Sequence, residues 1–473
     1  MYRGCRVVQK TPTGSLCLPS AGSRTVLWVE GIACDKLEVR EDKQPLAFDT
    51  SYVNGGCQLK QKEPSKQPHS VLSLRNKDTG TDFWQLPMDR SKPWLMEWTD
   101  RMWRRDSVDL EGTEAELQSQ SLEQAAPEVQ IDLLMARAVV FHRLGQIHDG
   151  IRVFSRVIEN SRQHGFDSIA YDAATLQWYM LERAGMLEEA WLTLQAVKPL
   201  IQDGLSGKEV GWDFDAGYLS MLMERAQDAD QYFRRCLAGA ERLDLSFYLR
   251  YALPYHANVL LSLDRFDDAW LTQQRAMAQL DKLSGCPKSE LQLLLANNLL
   301  QFVQDDSRAS LVEGCDLKQS LFLLTSAREL KQKCTNDVGQ VLASLAEIMI
   351  SENRFKDASS YLDEADRAVD VIYRDTLRSL ELRAKIAFSE GHPAISQYYF
   401  ERMERILSEV RPDQGGLTKC KVAIGLWEAS LLQGNNDLEL AKQTQRCVDA
   451  EIVSPFFRRL FTKRITAARR NLR

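Results

Sequence analysis

The spacing of apolar residues divides this chain into two regions. From about residue 127 to residue 451, apolar side chains return every three or four positions, which is the spacing of one face of an α-helix. Short polar breaks, many containing glycine or proline, interrupt the pattern. The pattern predicts eight pairs of amphipathic helices: 127–143 with 147–163, 167–184 with 187–202, 209–224 with 226–243, 246–263 with 266–283, 287–304 with 309–333, 336–352 with 355–371, 373–389 with 392–410, and 416–432 with 437–451.

The first 90 residues follow a different pattern. Short runs rich in Val, Leu, Phe and Trp alternate with turn residues such as Asn54-Gly55-Gly56 and Asp78-Thr79-Gly80. Such runs, spaced about ten residues apart, are typical of an antiparallel sandwich or barrel. The predicted strands are 14–18, 25–32, 36–40, 46–49, 58–61, 71–74 and 82–86. We therefore expect a small antiparallel β-sandwich or barrel domain over residues 1–90.

Residues 91–126 are predicted to connect the two regions. Trp94, Trp98 and Met102 recur at helical spacing, so 92–106 is expected to form a helix. This helix either docks a partner through its aromatic side chains or packs the β-domain onto the helices. The second role is favoured because large aromatic side chains usually bury their area in cores. Residues 107–126 are polar and are expected to form a linker.

Two segments in the helical region repeat each other. Glu188-Glu189-Ala190-Trp191-Leu192-Thr193 returns as Asp267-Asp268-Ala269-Trp270-Leu271-Thr272, and Asn353-Arg354-Phe355-Lys356-Asp357-Ala358 echoes part of the second copy. Internal similarity at about 40 residues, or twice that, is typical of stacked helical hairpins. The repeat therefore predicts an α-solenoid of about eight hairpins over 127–451.

These hairpins resemble tetratricopeptide repeats, which place a small residue in the first helix, another early in the second helix, and a larger residue four positions later. The first-helix position matches Ala138, Gly217, Ala257, Ala346 and Ala429. The second-helix position matches Gly150, Ala190, Ala229, Ala269, Ala358, Ala394 and Ala441. The larger residues are Phe154, Leu194, Phe233, Gln273, Leu362, Tyr398 and Gln445. The period is close to 40 residues rather than the usual 34 or so.

The resemblance also implies where a partner would bind. In this family the first helices line a concave face, and exposed polar and aromatic side chains there contact the ligand. The candidates are Arg137, His142, Gln177, Asp213, Tyr218, Arg250, Tyr255, Asn258, Asn297, Asn298 and Gln301. Asparagine in the middle of a helix is unfavourable by propensity, so the three asparagines are expected to use their side chains. They would either clamp an extended peptide or form hydrogen bonds between repeats.

Charge is distributed unevenly along the chain. The net charge is −6, residues 1–110 carry 17 basic and 14 acidic side chains (+3), and 452–473 carry seven basic and no acidic ones (+7), which leaves −16 for 111–451. An acidic solenoid argues against nucleic acid as the main partner, because phosphate binding needs a basic face. The first helices are also poor in lysine, which argues against a clamp for an acidic C-terminus.

The basic C-terminal segment 452–473 is predicted to form an amphipathic helix. Phe456, Phe457, Leu460, Phe461 and Ile465 alternate there with arginine and lysine. The segment either caps the array or docks onto an acidic surface, its own or a partner's; nucleic acid or an anionic membrane surface is the remaining alternative.

The cysteines and the termini point to an intracellular protein. The ten cysteines include no CxxC pair and are expected to be reduced, and no apolar run has the length of a signal peptide or a transmembrane helix. We therefore expect a cytoplasmic location and no transmembrane segment.

The sequence contains no motif that is typical of catalysis. The sequence has no phosphate-binding loop, no HExxH, no GxSxG and no paired cysteines for zinc. Cys57 and His69 could act as nucleophile and base, but a hairpin cysteine is the simpler interpretation because nothing orients the base. No cofactor, metal or small-molecule substrate is predicted.

These features predict a non-catalytic scaffold or adaptor that binds a partner protein or peptide within a multi-protein complex. One alternative is a regulatory sensor in which peptide or effector binding is coupled to the β-domain. The other is a non-catalytic subunit of a protease or defence complex.

Overall fold

The computed structural model describes residues 6–11, 14–18, 26–30, 34–41, 44–53, 56–62, 69–78, 80–89 and 127–470, the last range with short gaps at 202–205, 244, 305, 311, 313, 335–337, 368–372, 411–415, 436 and 451–453. The predicted junction helix 92–106 and linker 107–126 lie outside the described residues. The chain forms two compact units. The first contains the described residues up to Glu182 together with Glu188–Ala216 and Arg234–Leu249; the second contains Arg183–Leu187, Gly217–Phe233 and the chain from Arg250 onward.

Two antiparallel sheets form the N-terminal region. One has the strand order β1-β2-β3-β7-β6 and the other β5-β4-β8-β9. The strands are β1 (Arg6–Thr11), β2 (Gly14–Leu18), β3 (Val26–Glu30), β4 (Leu37–Glu41), β5 (Gln44–Pro45), β6 (Phe48–Val53), β7 (Gly56–Gln61), β8 (His69–Asn76) and β9 (Thr81–Asp89). All seven predicted strands overlap observed ones. The strands missed from the sequence are β1 and the two-residue β5.

A disulfide bond joins Cys34, just before β4, to Cys57 on β7, and so links the two sheets. Cys57 is completely buried, next to Leu59 on the same strand. Cys286 in the helical region is also disulfide-bonded. The expectation that all the cysteines are reduced is therefore wrong for these three. A buried, bonded Cys57 cannot act as a nucleophile.

Seventeen helices and one additional turn of helix, Asp306–Ala309, follow in the described residues. They are α1 (Pro127–Arg143), α2 (Ile147–Gln163), α3 (Asp167–Arg183), α4 (Leu187–Val197), α5 (Ser206–Leu222), α6 (Ala226–Leu243), α7 (Ser246–Ser262), α8 (Phe266–Met277), α9 (Gly285–Phe302), α10 (Leu317–Cys334), α11 (Gly339–Ser351), α12 (Phe355–Ala365), α13 (Tyr373–Ser389), α14 (Pro393–Val410), α15 (Gly416–Leu432), α16 (Leu438–Asp449) and α17 (Pro455–Arg470). The eight predicted hairpins are present, with odd-numbered first helices and even-numbered second helices. None of the described helices is long and apolar enough to cross a membrane.

The turn inside a hairpin uses a left-handed residue two positions after the first helix. Glycine occupies it at Gly145, Gly185, Gly391 and Gly434, all with φ between 71° and 78°. Glu224, Asp264 and Asn353 occupy the same position with φ of 62°, 64° and 60°. This conformation costs about 1 kcal/mol or more for a residue with a Cβ, so the side chains of the two acidic residues are of particular interest.

The small residue of the second helix is its fourth residue in every hairpin. Ser320 supplies it in α10, where the sequence pattern is weak, and Ser396 supplies it in α14; both are completely buried. The assignment of Ala394 to this position is therefore wrong, because Ala394 is exposed. The larger residue four positions later is Phe400, at 5% exposure, rather than Tyr398, at 54%. Because proline suits the first position of a helix, α14 begins at Pro393, and this start sets the register.

Close packing explains why small residues recur. In the first unit, a Cβ on Gly150 would lie 2.3 Å from the Met180 side chain. In the second unit, a Cβ on Gly425 would lie 2.2 Å from the Phe400 ring. The flexible end of the Met180 side chain can move aside, whereas the Phe400 ring cannot, so Gly425 fixes how closely its helix approaches α14.

The repeated Ala-Trp-Leu-Thr segment packs as predicted at its alanines. Ala190 and Ala269 are completely buried, and the Trp270 ring lies edge-on to Phe302 at 5.4 Å. The leucines that follow are exposed, Leu192 to 65% and Leu271 to 60%. The segment therefore serves mainly to pack hairpins.

Candidate partner-binding surface

All eleven predicted partner-binding residues lie on first helices. Arg137 and His142 are in α1, Gln177 in α3, Asp213 and Tyr218 in α5, Arg250, Tyr255 and Asn258 in α7, and Asn297, Asn298 and Gln301 in α9. Six of them lie near one another in the second unit. We call five of these, Tyr218, Tyr255, Asn258, Asn297 and Gln301, the first-helix surface, because each is partly exposed.

An aromatic pair begins the first-helix surface. The rings of Tyr218 and Tyr255 meet edge to face with centroids 5.0 Å apart. Tyr255 also stacks on Phe233, at 6.3 Å and 14°. Gly217 permits this arrangement, since a Cβ there would already lie 3.0 Å from the Phe233 ring. The two tyrosines therefore stand on a rigid base, with part of each ring accessible.

Side-chain amides continue the surface from α7 to α9. Asn258 donates from Nδ2 to Gln301 Oε1 at 2.9 Å and to Asn298 Oδ1 at 3.4 Å. Asn297 Oδ1 lies 2.6 Å from the hydroxyl of Ser344 in α11. These bonds hold adjacent first helices in register, while Asn258, Asn297 and Gln301 stay partly exposed.

Asn298 differs from its neighbours because it is only 5% exposed. Its Nδ2 donates to the carbonyl oxygen of Pro254 at 2.8 Å and to Gln273 Oε1 at 3.0 Å. Gln273 in turn donates to the carbonyl of Leu295 at 2.9 Å. Both donors of Asn298 are thus used inside the protein, which favours the interpretation of this residue as a hydrogen bond between repeats. The glutamine at position 273, unusual for a packing position, is explained by the same network.

Three basic side chains on the later first helices are paired with glutamates. Arg378 in α13 lies 2.9 Å from Glu347 in α11, and Glu381 lies 2.8 Å from Lys385 and 3.2 Å from Lys421 in α15. Burial alone would raise the pKa of Glu381, but the two lysines together hold it well below its usual value. A clamp for an acidic peptide needs uncompensated cations, so these pairs argue against one.

The candidates of the first unit are spread over several contacts. Gln177 is buried and donates to the carbonyl of Ile151 at 2.9 Å and to Ser155 Oγ at 2.6 Å. His142 lies edge-on to Tyr179 at 5.9 Å, and Arg137 lies over Phe141 at 5.7 Å. Only the His142 and Tyr179 pair resembles the exposed aromatic pair of the second unit, with Tyr179 exposed to 40%.

Asp213 and Arg250, the remaining candidates, are also engaged. Asp213 forms an ion pair with Arg235 at 2.9 Å, and burial raises the pKa of its carboxyl despite this partner. The Arg250 guanidinium lies 5.8 Å from the centre of the Tyr251 ring. These contacts are local, and neither residue is part of the first-helix surface.

Contacts between distant parts of the second unit could not be predicted from the sequence. Arg374 at the start of α13 donates to Tyr218 Oη at 3.3 Å. The carboxylate of Glu224 accepts the backbone N–H of Leu417 at the start of α15. Asp264 forms ion pairs with Arg308, at 2.6 Å, and with Arg459 of α17. Both left-handed acidic residues therefore hold later helices against earlier ones.

Helix α17 packs onto the last hairpin. Phe461 and Ile465 are buried with Cys420, Ile424 and Trp427 of α15 in one apolar cluster. Arg464 pairs with Glu428 through Nε at 3.2 Å. The apolar face of α17 thus packs on the last hairpin of the same chain, which supports the interpretation of the basic C-terminal helix as a cap.

Comparisons with known proteins found similarity among solved structures. No protein-family model and no curated protein matches the chain. Among solved structures, the APC/C hetero-tetramer Cut9-Hcn1 is 12% identical with a TM-score of 0.43, over 75% of this chain and 63% of the matched chain, which is less than two thirds of its length. Yeast Tom70 is 12% identical with a TM-score of 0.26, over 81% of this chain and 96% of the matched chain.

The helix pairs themselves therefore define the fold. Eight hairpins follow one another in the described residues, each with a small fourth residue in its second helix and a left-handed turn in most. The chain is a tetratricopeptide-like helical solenoid, preceded by a small antiparallel β-region.

Proposed function

We propose that this protein is a non-catalytic scaffold or adaptor that binds a partner protein or peptide on its first-helix surface, the predicted concave face. The observation that carries the proposal is the partly exposed aromatic pair Tyr218 and Tyr255 beside the partly exposed amides of Asn258, Asn297 and Gln301. Aromatic rings supply apolar contact area, and amides supply both donors and acceptors. Together they suit a peptide, whose side chains can pack on the rings while its backbone N–H and C=O groups form hydrogen bonds with the amides.

The charge pattern narrows the partner's chemistry. Arg378 and Lys385 on α13 and Lys421 on α15 are paired with glutamates. The five residues of the first-helix surface are uncharged, and the neighbouring Arg374 guanidinium is engaged with the Tyr218 hydroxyl. An extended, mainly uncharged peptide segment therefore suits this surface better than an acidic tail. The acidic middle region makes nucleic acid an unsuitable partner.

The contact between Tyr218 and Arg374 suggests how access to the surface is controlled. The Arg374 guanidinium donates to the hydroxyl of a residue that we assign to partner binding. A peptide that uses the Tyr218 hydroxyl would compete with this bond. Binding is thus expected to be coupled to the position of the N-terminal end of α13.

A regulatory sensor is the second candidate, on the strength of one contact within the first unit. Asn76 at the end of β8 is 1% exposed and donates from Nδ2 to the carbonyl oxygen of Leu243, the last residue of α6, at 3.4 Å. This bond links a strand directly to a repeat helix. A change in α6 could reach the β-region through it.

The disulfide bonds bear on the cellular compartment of the protein. A cytoplasmic location was expected from the sequence. The disulfide bonds at Cys34, Cys57 and Cys286 fit an oxidising compartment better than a reducing one.

The proposal is tested by capture of partners from the native host, followed by mass spectrometry. The test variant combines Asn297→Asp with Gln301→Glu, which adds charge to the surface and keeps every acceptor described above. The matched control combines Gln231→Glu with Gln274→Glu on the exposed sides of second helices α6 and α8. We expect the test variant to capture at least about tenfold less of a stoichiometric partner than the native chain, and the control to capture it fully. A tenfold loss of affinity corresponds to about 1.4 kcal/mol of binding free energy. Equal capture by both variants would contradict binding at this surface.

A further inference from the structure

The last hairpin brings two thiols together. Cys420 is the fifth residue of α15, and Cys447 lies near the end of α16. Because the two helices run antiparallel as a hairpin, the start of one faces the end of the other. The two side chains share a hydrogen bond and the same apolar cluster.

The two thiols differ in accessibility. Cys420 is 3% exposed, whereas Cys447 is partly exposed. The other free cysteines of the described residues, Cys236 and Cys315, are buried, and burial together with nearby carboxylates raises the pKa of each thiol. Cys420 and Cys447 differ from them because each interacts with a second thiol.

Disulfide chemistry is already part of this protein. Cys34 is bonded to Cys57, and Cys286 is disulfide-bonded as well. An environment that forms these bonds contains oxidants able to act on a further dithiol in which one thiol is accessible.

We propose that Cys420 and Cys447 form a dithiol–disulfide site whose substrate is a small disulfide of the glutathione disulfide class. The partly exposed Cys447 thiolate attacks one sulfur of the oxidant, forms a mixed disulfide and releases one thiolate. The Cys420 thiolate then attacks the Cys447 sulfur and releases the second. Two protein thiols are oxidised to one disulfide, the oxidant is reduced to two thiols, and the two protons leave with those products.

The electrostatics support this order of steps. The hydrogen bond from Cys420 lowers the pKa of Cys447 against the effect of burial, so Cys447 ionises more readily. The same bond, burial and the nearby Glu224 carboxylate raise the pKa of Cys420. The thiol that an oxidant can reach is thus also the more readily ionised one, which suits it to be the attacking group.

The bond would join α15 to α16 covalently at the end of the solenoid. Phe461 and Ile465 of α17 pack on the cluster that contains Cys420. Leu417, one turn before Cys420, is held by Glu224. Oxidation would therefore restrain the last hairpin and the helix packed on it, independently of the partner proposed above.

The test uses the full chain, reduced and then equilibrated with mixtures of reduced glutathione and glutathione disulfide. Free thiols are alkylated and peptides are mapped without reduction. We expect a linked peptide pair containing Cys420 and Cys447 and no retained glutathione on either. Recovery of both residues alkylated, under conditions in which Cys34 and Cys57 are linked, would overturn the proposal.

Two single variants separate the roles. Cys420→Ser should retain glutathione on Cys447, because no second thiol displaces it, and Cys447→Ser should leave Cys420 alkylatable. Amide hydrogen exchange in α16 should slow at least about tenfold on oxidation of the native chain and not in Cys447→Ser. No adduct on Cys420→Ser, or equal exchange in oxidised and reduced native chain, would count against the site.

Discussion

The carboxylate of Glu224, in the turn between α5 and α6, accepts the backbone N–H of Leu417 with both oxygens, at 2.8 and 3.0 Å. Leu417 is the second residue of α15, so a side chain from a distant hairpin supplies the acceptor that the start of this helix lacks. Glu224 adopts φ of 62° to do so, a conformation in which glycine is used at four equivalent turns. The distant contact gives a physical reason for a residue other than glycine here.

Substitutions of Glu224 should separate the capping contact from the backbone cost. Glu224→Ala removes the cap and keeps the left-handed strain, whereas Glu224→Gly removes both. Loss of a helix cap costs about 1 kcal/mol, and relief of the strain returns a similar amount. In urea unfolding we expect Glu224→Ala to be less stable than Glu224→Gly by about 1 kcal/mol. Equal stability of the two variants would mean that the turn is unstrained.

Asp215 in α5 should make the first unit less stable as pH rises. Burial raises the pKa of Asp215 from 3.8 to about 8, although the Trp178 indole donates to it at 3.2 Å. Between these values the folded state keeps a proton that the unfolded state has lost. The free energy of unfolding therefore falls with increasing pH, by up to about 1.4 kcal/mol per unit. Below the lower value both states are protonated and this dependence ends.

Asp215→Asn removes this titration and keeps an acceptor for Trp178. We expect its free energy of unfolding to vary less between about pH 5 and pH 8 than that of the native chain. The variant should also be the more stable at pH 8. Asp267→Asn, at an exposed position of α8, is the control and should follow the native curve. A native pH dependence in Asp215→Asn would exclude Asp215 as its source.

Glu381 should have the opposite pH dependence. Lys385 and Lys421 hold its pKa below the usual 4.5 in spite of burial, so its contribution is present above that pH and is lost as pH falls. Glu381→Gln leaves two partly buried lysines without their anion and should cost about 2 kcal/mol near pH 7. The difference from the native chain should shrink towards about pH 3. A constant difference across this range would show that the loss is steric.

Asn298 and Asn297 should behave differently although they are adjacent. Asn298→Ala leaves Gln273 Oε1 and the Pro254 carbonyl without this buried donor, a loss of about 2 kcal/mol. Asn297→Asp keeps the acceptor for Ser344 and should change the free energy of unfolding by less than about 0.5 kcal/mol. Chemical unfolding measures both. Similar losses would mean that Asn297 is also a structural residue.

The sequence predicted the fold because its signals are local. Helical periodicity and turn glycines such as Gly145 and Gly434 predicted all eight hairpins. The predicted register was wrong in α14. Ala394 and Tyr398 match the small and large positions of the sequence pattern, but Ser396 and Phe400, two residues later, occupy them in the structure. Serine is small enough for the packed position, but it is also common in loops and on surfaces, so its presence in the sequence does not mark that position.

The candidate site was predicted only in part. The helical periodicity of the sequence assigned Tyr218 and Tyr255 to first helices, and in the structure their rings are in contact. The contacts of Glu224 with Leu417 and of Asp264 with Arg459 were not predictable, because they span 193 and 195 residues and no local pattern encodes such contacts. The buried state of Asn298 depends equally on a neighbouring repeat, through Gln273.

A site-specific photo-crosslinker tests the central claim most directly. It would be placed at position 301 in α9 and, in a second protein, at position 271 in α8, where Leu271 is 60% exposed. Both full chains would be incubated with the partner recovered by capture, and cross-linked peptides identified by mass spectrometry. Binding on the first-helix surface predicts cross-links from position 301 and none from position 271. Cross-links from position 271 alone would contradict it and place the partner on the second helices.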